Sequence, residues 1–182
     1  MLDTGIIRRI DELGRVVIPK EIRKKLRIKE GDPLEIYSNK SELVLKKYSP
    51  MVELKSMAKS VADGLHEETG KICIVVDNNE VVCVSRNKLK ELTGNEISSE
   101  LFSALCERRQ VIANRADNGK VLPITNKDEQ EFESQVVVPI VASGDCYGGV
   151  ILVDTDKGSR FTMNELRFAK LGASFMAKQL ED

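Results

Sequence analysis

The sequence predicts an α+β chain in two parts: a small basic head of short strands with one helix, and a larger acidic body of antiparallel sheet and helices. Three observations carry this. β-branched runs alternate with turn-forming clusters up to residue 48. From residue 51, apolar residues at helical spacing give way to long aliphatic runs of strand type. Charge divides at the same place. Residues 1–48 hold 12 Lys+Arg against 8 Asp+Glu, a formal +4; from totals of 28 and 29, the rest keeps 16 against 21, or −5. The expected domains are 1–50, a linking helix over 51–70, and 71–182.

In the head, "GIIRRI" (5–10) and "RVVI" (15–18) read as strands separated by the turn tetrad "DELG". Pro19 suits the first turn of a helix, where its missing N–H costs nothing, so "PKEIRKKL" is expected to be helical and "EGDP" to end it. "LEIYS" and "ELVLKKY" follow as a hairpin. Val16, Val17 and Ile18 are apolar on both faces of their strand, and roughly 48 residues rarely supply two cover layers. Either a second copy interleaves its strands with the first, or the body packs on the head. The burial argument favours the interleaved dimer.

Leu54, Met57, Ala58, Val61, Ala62 and Leu65 recur at helical spacing, which predicts an amphipathic helix over 51–68 ending near Gly70. "KICIVVD" and "EVVCVS" are expected to pair across Asn78-Asn79, with Ile74 opposite Cys83; Cys73 and Cys83 would then point to opposite faces. "NKLKELTG" and "SSELFSALCERRQ" look helical. Residues 110–133 read as polar and irregular apart from "KVLPI". "SQVVVPIVASGDCYGGVILVD" is a second hairpin turning at Ser143-Gly144-Asp145, and "TMNE" opens a final helix with a capping box. That helix has two apolar stripes, one through Leu166, Ala169, Ala173 and Met176, the other through Phe168, Leu171 and Phe175. The second belongs either in a three-layer core or in a helical bundle between chains.

Several function classes fall away. No apolar run is long enough to span a bilayer and "MLDTGIIRRI" has no secretory pattern, so a cytoplasmic protein without membrane contact is expected. The four cysteines form no C-x-x-C, which argues against zinc and predicts no cofactor. His66 is the single histidine, and "HEET" lacks the second histidine of a metalloprotease helix, so no enzyme is expected. What remains is charge. Ile22 and Leu26 form the apolar stripe of the first helix while Lys20, Arg23, Lys24 and Arg27 project from its other side, with Arg8, Arg9 and Arg15 coming from the strands. Dense cations suit phosphates, and forked arginines suit base edges.

"TGIIRRIDELGRVVIPKEIRKKLRIKEGDPLEIY" followed by "LVLKKYSP" resembles the DNA-binding module of AbrB-like transition-state regulators, across essentially all of residues 3–50. "VVVPIVASGDCYGGVILVD" with "FTMNELRFAKLGASFMAKQLE" is similar to the last hairpin and helix of GAF domains. The resemblance implies a swapped-hairpin β-barrel dimer in the head and DNA contacts from Arg8, Arg15, Arg23 and Lys24. Position 24 is often arginine in that family; lysine keeps the charge but loses the fork. It further implies activation and repression of sporulation genes, double-stranded DNA as partner, a homotetramer through body helices, and a GAF-like body that senses a small ligand or serves assembly. The alternative is an antitoxin-like interaction module using the same swapped hairpin.

Overall fold

The computed structural model describes residues 5–85, 89–126 and 131–181 and divides into two compact units, residues 1–48 and 49–182.

In the first unit, α1 (Lys20–Lys25) starts directly after Pro19, whose ring fixes a helix-compatible φ of −56°. β1 (Leu34–Asn39) and β2 (Glu42–Lys47) form an antiparallel hairpin with Leu34 opposite Lys47 and Asn39 opposite Glu42. Among the described residues, the expected strands over 5–10 and 15–18 carry no strand pairing and no barrel closes. The reason is physical. A strand needs a neighbour, and the described residues of this unit offer its β-branched runs none. Ile7 is 91% exposed and Val17 72%, while Val16, Ile36 and Leu43 are also exposed.

The second unit begins with α2 (Pro50–Glu53), opened by the proline that ends the hairpin strand, and α3 (Lys55–Thr69). α3 stops where Gly70 turns left-handed at φ 68° and its N–H returns to the His66 carbonyl, 2.8 Å away. β3 (Ile72–Asp77), β4 (Val81–Val84), β5 (Val111–Asn114), β6 (Ser134–Ala142) and β7 (Asp145–Asp154) form one antiparallel sheet in the order β4-β3-β7-β6-β5. α4 (Ser99–Cys106) is capped by Ser98, whose Oγ accepts the Leu101 N–H. The last helix, α5 (Met163–Glu181), has the expected reciprocal start: Asn164 N–H donates to Thr162 Oγ1, and Thr162 N–H to Glu165 Oε2.

The sheet separates two cores. On one face α3 and α5 bury Ala58, Ala62, Ala169, Ala173 and Met176 over Val75, Val138 and Leu152. On the other, Leu101 and Leu105 of α4 pack with Ile97, Ile124 and Phe132 against Ile74, Val137 and Ile151. Phe168, Leu171 and Phe175 stay on the outside of α5, Leu171 at 67% exposure, so among the described residues no third layer covers them.

Several readings of the body change. Val75, not Ile74, lies opposite Cys83, because the β3–β4 register slips at a bulge between Val75 and Val76. Cys73 and Cys83 consequently share the α3 face as free, buried thiols. "VIAN" (111–114) is an edge strand on β6, while "KVLPI" joins no ladder. Of "NKLKELTG", only Lys90–Leu92 forms a short 3-10 turn; residues 87 and 88 lie outside the described residues, as do 127–130 of the 110–133 stretch. The β6–β7 turn is the two-residue Ser143-Gly144, both at positive φ (47° and 87°), which suits the twist of a tight hairpin. Among the described residues no helix is long and apolar enough to cross a membrane.

Candidate nucleic-acid interface

Arg8, Arg9, Arg15, Arg23 and Lys24, the expected DNA-contacting cations, all sit in the first unit and all are exposed. Arg15 is held best. Asp11 accepts the backbone N–H of Leu13 at 3.0 Å and of Arg15 at 2.8 Å, while its own N–H donates to the Arg15 carbonyl. Gly14, at φ 76°, lets the chain reverse between them. The second Asp11 oxygen takes the Arg15 Nε–H at 2.8 Å. The Arg15 backbone and side-chain bonds hold the Asp11 carboxyl below its usual range. One edge of the guanidinium is thereby fixed, and no described residue bonds to its two Nη groups. A fork presented in this way can face phosphate or the paired acceptors of a guanine edge.

Arg23 and Lys24 lie on α1, with Arg23 N–H bonded to the Pro19 carbonyl at 2.9 Å. Arg8 and Arg9 precede the Asp11 turn. None of these four side chains bonds to a described residue, so their charge is uncompensated locally.

Sequence reasoning missed the clasp that positions the end of α1. Lys47 of β2 donates to the Arg27 carbonyl at 3.1 Å and pairs with Asp32 at 2.8 Å. Asp32 also accepts the Lys29 N–H at 2.7 Å. Burial pushes the Asp32 carboxyl up, but its bonds to Lys47 and Lys29 outweigh that, and its pKa falls below the ordinary value. The signal was faint: Lys47 is one of several hairpin lysines. Among the described residues no three His, Cys, Asp or Glu side chains cluster to hold a metal ion.

Comparison with known proteins places this geometry. The family model described as "Stage V sporulation protein T C-terminal, transcription factor" matches residues 53–181. Stage V sporulation protein T of Bacillus subtilis is 41% identical over 184 residues, covering 100% of this chain and 99% of that one. The chain belongs to the stage V sporulation protein T family.

Its head also matches the model described as "Antidote-toxin recognition MazE, bacterial antitoxin", over residues 7–52. The transition state regulatory protein AbrB of Bacillus subtilis is 40% identical over 93 residues, which is 50% of this chain and 97% of that one. The body of this stage V sporulation protein T family member has the GAF fold. It resembles the GAF domain of an Acinetobacter phosphoenolpyruvate-protein phosphotransferase at TM-score 0.56 and 8% identity, over 73% of this chain and 82% of that one.

Proposed function

We propose that the protein is a DNA-binding transcription regulator of sporulation genes that acts in the cytoplasm and contacts duplex DNA through Arg8, Arg9, Arg15, Arg23 and Lys24. The observation that carries this is the Asp11–Arg15 clasp, which fixes one edge of a guanidinium and leaves the other outward. Family membership supports the same reading. The head works as a homodimer, because its β-branched side chains are left exposed in one chain. The exposed Phe168–Leu171–Phe175 stripe supports a further pairing of bodies into a tetramer. The GAF-like body senses a small molecule or serves that assembly, and catalysis forms no part of the reading.

Five cations per protomer, doubled in a dimer, bound the log–log salt slope of DNA affinity at roughly nine by counterion release. The expected slope is several units, and Arg15→Ala weakens binding by about tenfold or more, measured by fluorescence anisotropy over a salt series. A salt-independent affinity would sink the proposal. The antitoxin match over residues 7–52 supports a second reading, in which the head grips a protein. Co-purification of a small toxin, with no DNA binding, would favour it.

A further inference from the structure

Where α3 passes the outer edge of the sheet lies a groove of about 610 Å³, lined by none of the cations proposed to contact DNA. Lys55 and Lys59 of α3 stand on one side, Lys90 and Thr93 at the 3-10 turn on the other, and residues 82–84 of β4 form the floor. The volume is typical of a small-molecule site. The floor is apolar because β4 is a run of buried Val, Val, Cys and Val. It stays open because β4 is the outermost strand; among the described residues its outer side meets backbone only at Val81, which pairs with Gly94 and Asn95.

The rim is cationic. Lys59 is answered by Asp63, one helical turn along. Lys55 and Lys90 meet no carboxylate among the described residues, so three ammonium groups less one carboxylate leave the rim at +2. A bare anion would leave the mostly apolar lining of the groove wet, and a neutral apolar molecule would leave the lysines unmatched. Both are met by a molecule with an anionic head on an aliphatic chain.

We propose that this groove binds a small anionic amphiphile, an aliphatic chain ending in a carboxylate or a phosphate. The proposal rests on the sensor reading of the body and deepens it by naming the site and the ligand class. α3 follows the head hairpin after one short helix, so a ligand drawn to Lys55 acts on an element only α2 away, in sequence, from the DNA-binding unit.

The test uses the full-length protein with decanoate, decyl phosphate, decanol and inorganic phosphate, each as monomer in solution, by calorimetry and thermal shift. At least one of the two anionic amphiphiles is expected to bind saturably, one per chain, and to raise the melting temperature. Decanol and inorganic phosphate bind about tenfold more weakly or less. Lys55 and Lys90 are both exposed, so the Lys55→Glu/Lys90→Glu double variant keeps its unliganded melting temperature and loses about tenfold in affinity. Thr93→Trp, which fills the groove from an exposed position, also loses binding. Undiminished binding to both variants, or no saturable binding of either anion, overturns the site. DNA affinity is read in parallel. Saturable binding that leaves it unchanged keeps the site and sinks the sensor reading; a different compound that changes it, with the groove silent, does the reverse.

Discussion

Lys71 leaves the turn after α3 and reaches Asp154 at the end of β7, where Ser159 Oγ donates to the same carboxylate oxygen at 2.8 Å and the Asp156 N–H donates to the other at 3.0 Å. The Lys71 ammonium also stands 5.8 Å from the Phe161 ring centre. Burial pushes the Asp154 carboxyl up, but these bonds outweigh it and the pKa falls below the ordinary 3.8. A group lowered in the folded state stabilises above its unfolded value and loses that contribution as pH falls through the folded one. Asp154→Asn is therefore expected to cost about 1–3 kcal/mol near neutrality. Its melting-temperature deficit against the parent protein shrinks below about pH 4, as calorimetry over a pH series would show. Gln135 is a second such residue. Fully buried in β6, its amide accepts the Leu122 N–H at 2.8 Å and donates to the Leu122 carbonyl at 2.9 Å. "KVLPI" thus has a partner without having a ladder, since a side chain takes the place of a neighbouring strand. Gln135→Leu leaves both backbone groups unpaired and costs about 1–3 kcal/mol, read by denaturant unfolding of the full chain. A polar residue inside "SQVVVPIVA" was the visible clue, but its target, 13 positions earlier, could not be read from periodicity.

At the scale of elements, the long aliphatic hairpins and the amphipathic helices were legible because one residue class repeats at one period. Bulges were not, since they spend a residue without changing the pattern. One in the β3–β4 pair moved Cys83 opposite Val75 and put both thiols beneath α3, where burial pushes Cys83 up to about 11. β5 was hidden for another reason: four residues amid polar sequence become a strand only because β6 is long enough to pair with them. A second bulge, between Ile140 and Val141, sets Gly148 in the central strand β7 at φ 148°, with Asp77 Cα 2.7 Å from where a Cβ would stand and the Val76 carbonyl nearer still. Those obstacles are backbone, and both flanking strands are paired, so nothing can yield cheaply. Gly148→Ala is expected to cost roughly 3 kcal/mol or more. A melting temperature within a degree or two of the parent would show that the strand pair can part there.

At the scale of the whole molecule, the two units fold by different means. The body buries two continuous cores within one chain. The head leaves Ile7, Ile10, Leu13, Val17, Ile36 and Leu43 exposed, far more apolar surface than 48 residues would tolerate alone. The sequence announced strands at 5–10 and 15–18 because β-branched runs record a need for neighbours, not where the neighbours come from. If a second copy supplies them, the head is stable only as a dimer, and the five cations are held in register only there. Val17→Asp then puts a carboxylate into the shared core without touching any cation. Analytical ultracentrifugation is expected to show loss of the head-mediated association, and anisotropy a fall in DNA affinity of about a hundredfold, since each half-site is left to bind alone. Circular dichroism would still report the body's sheet and helices. A variant that remains associated through the head, or a monomer that binds DNA as tightly as the parent, would mean that one chain builds the interface unaided.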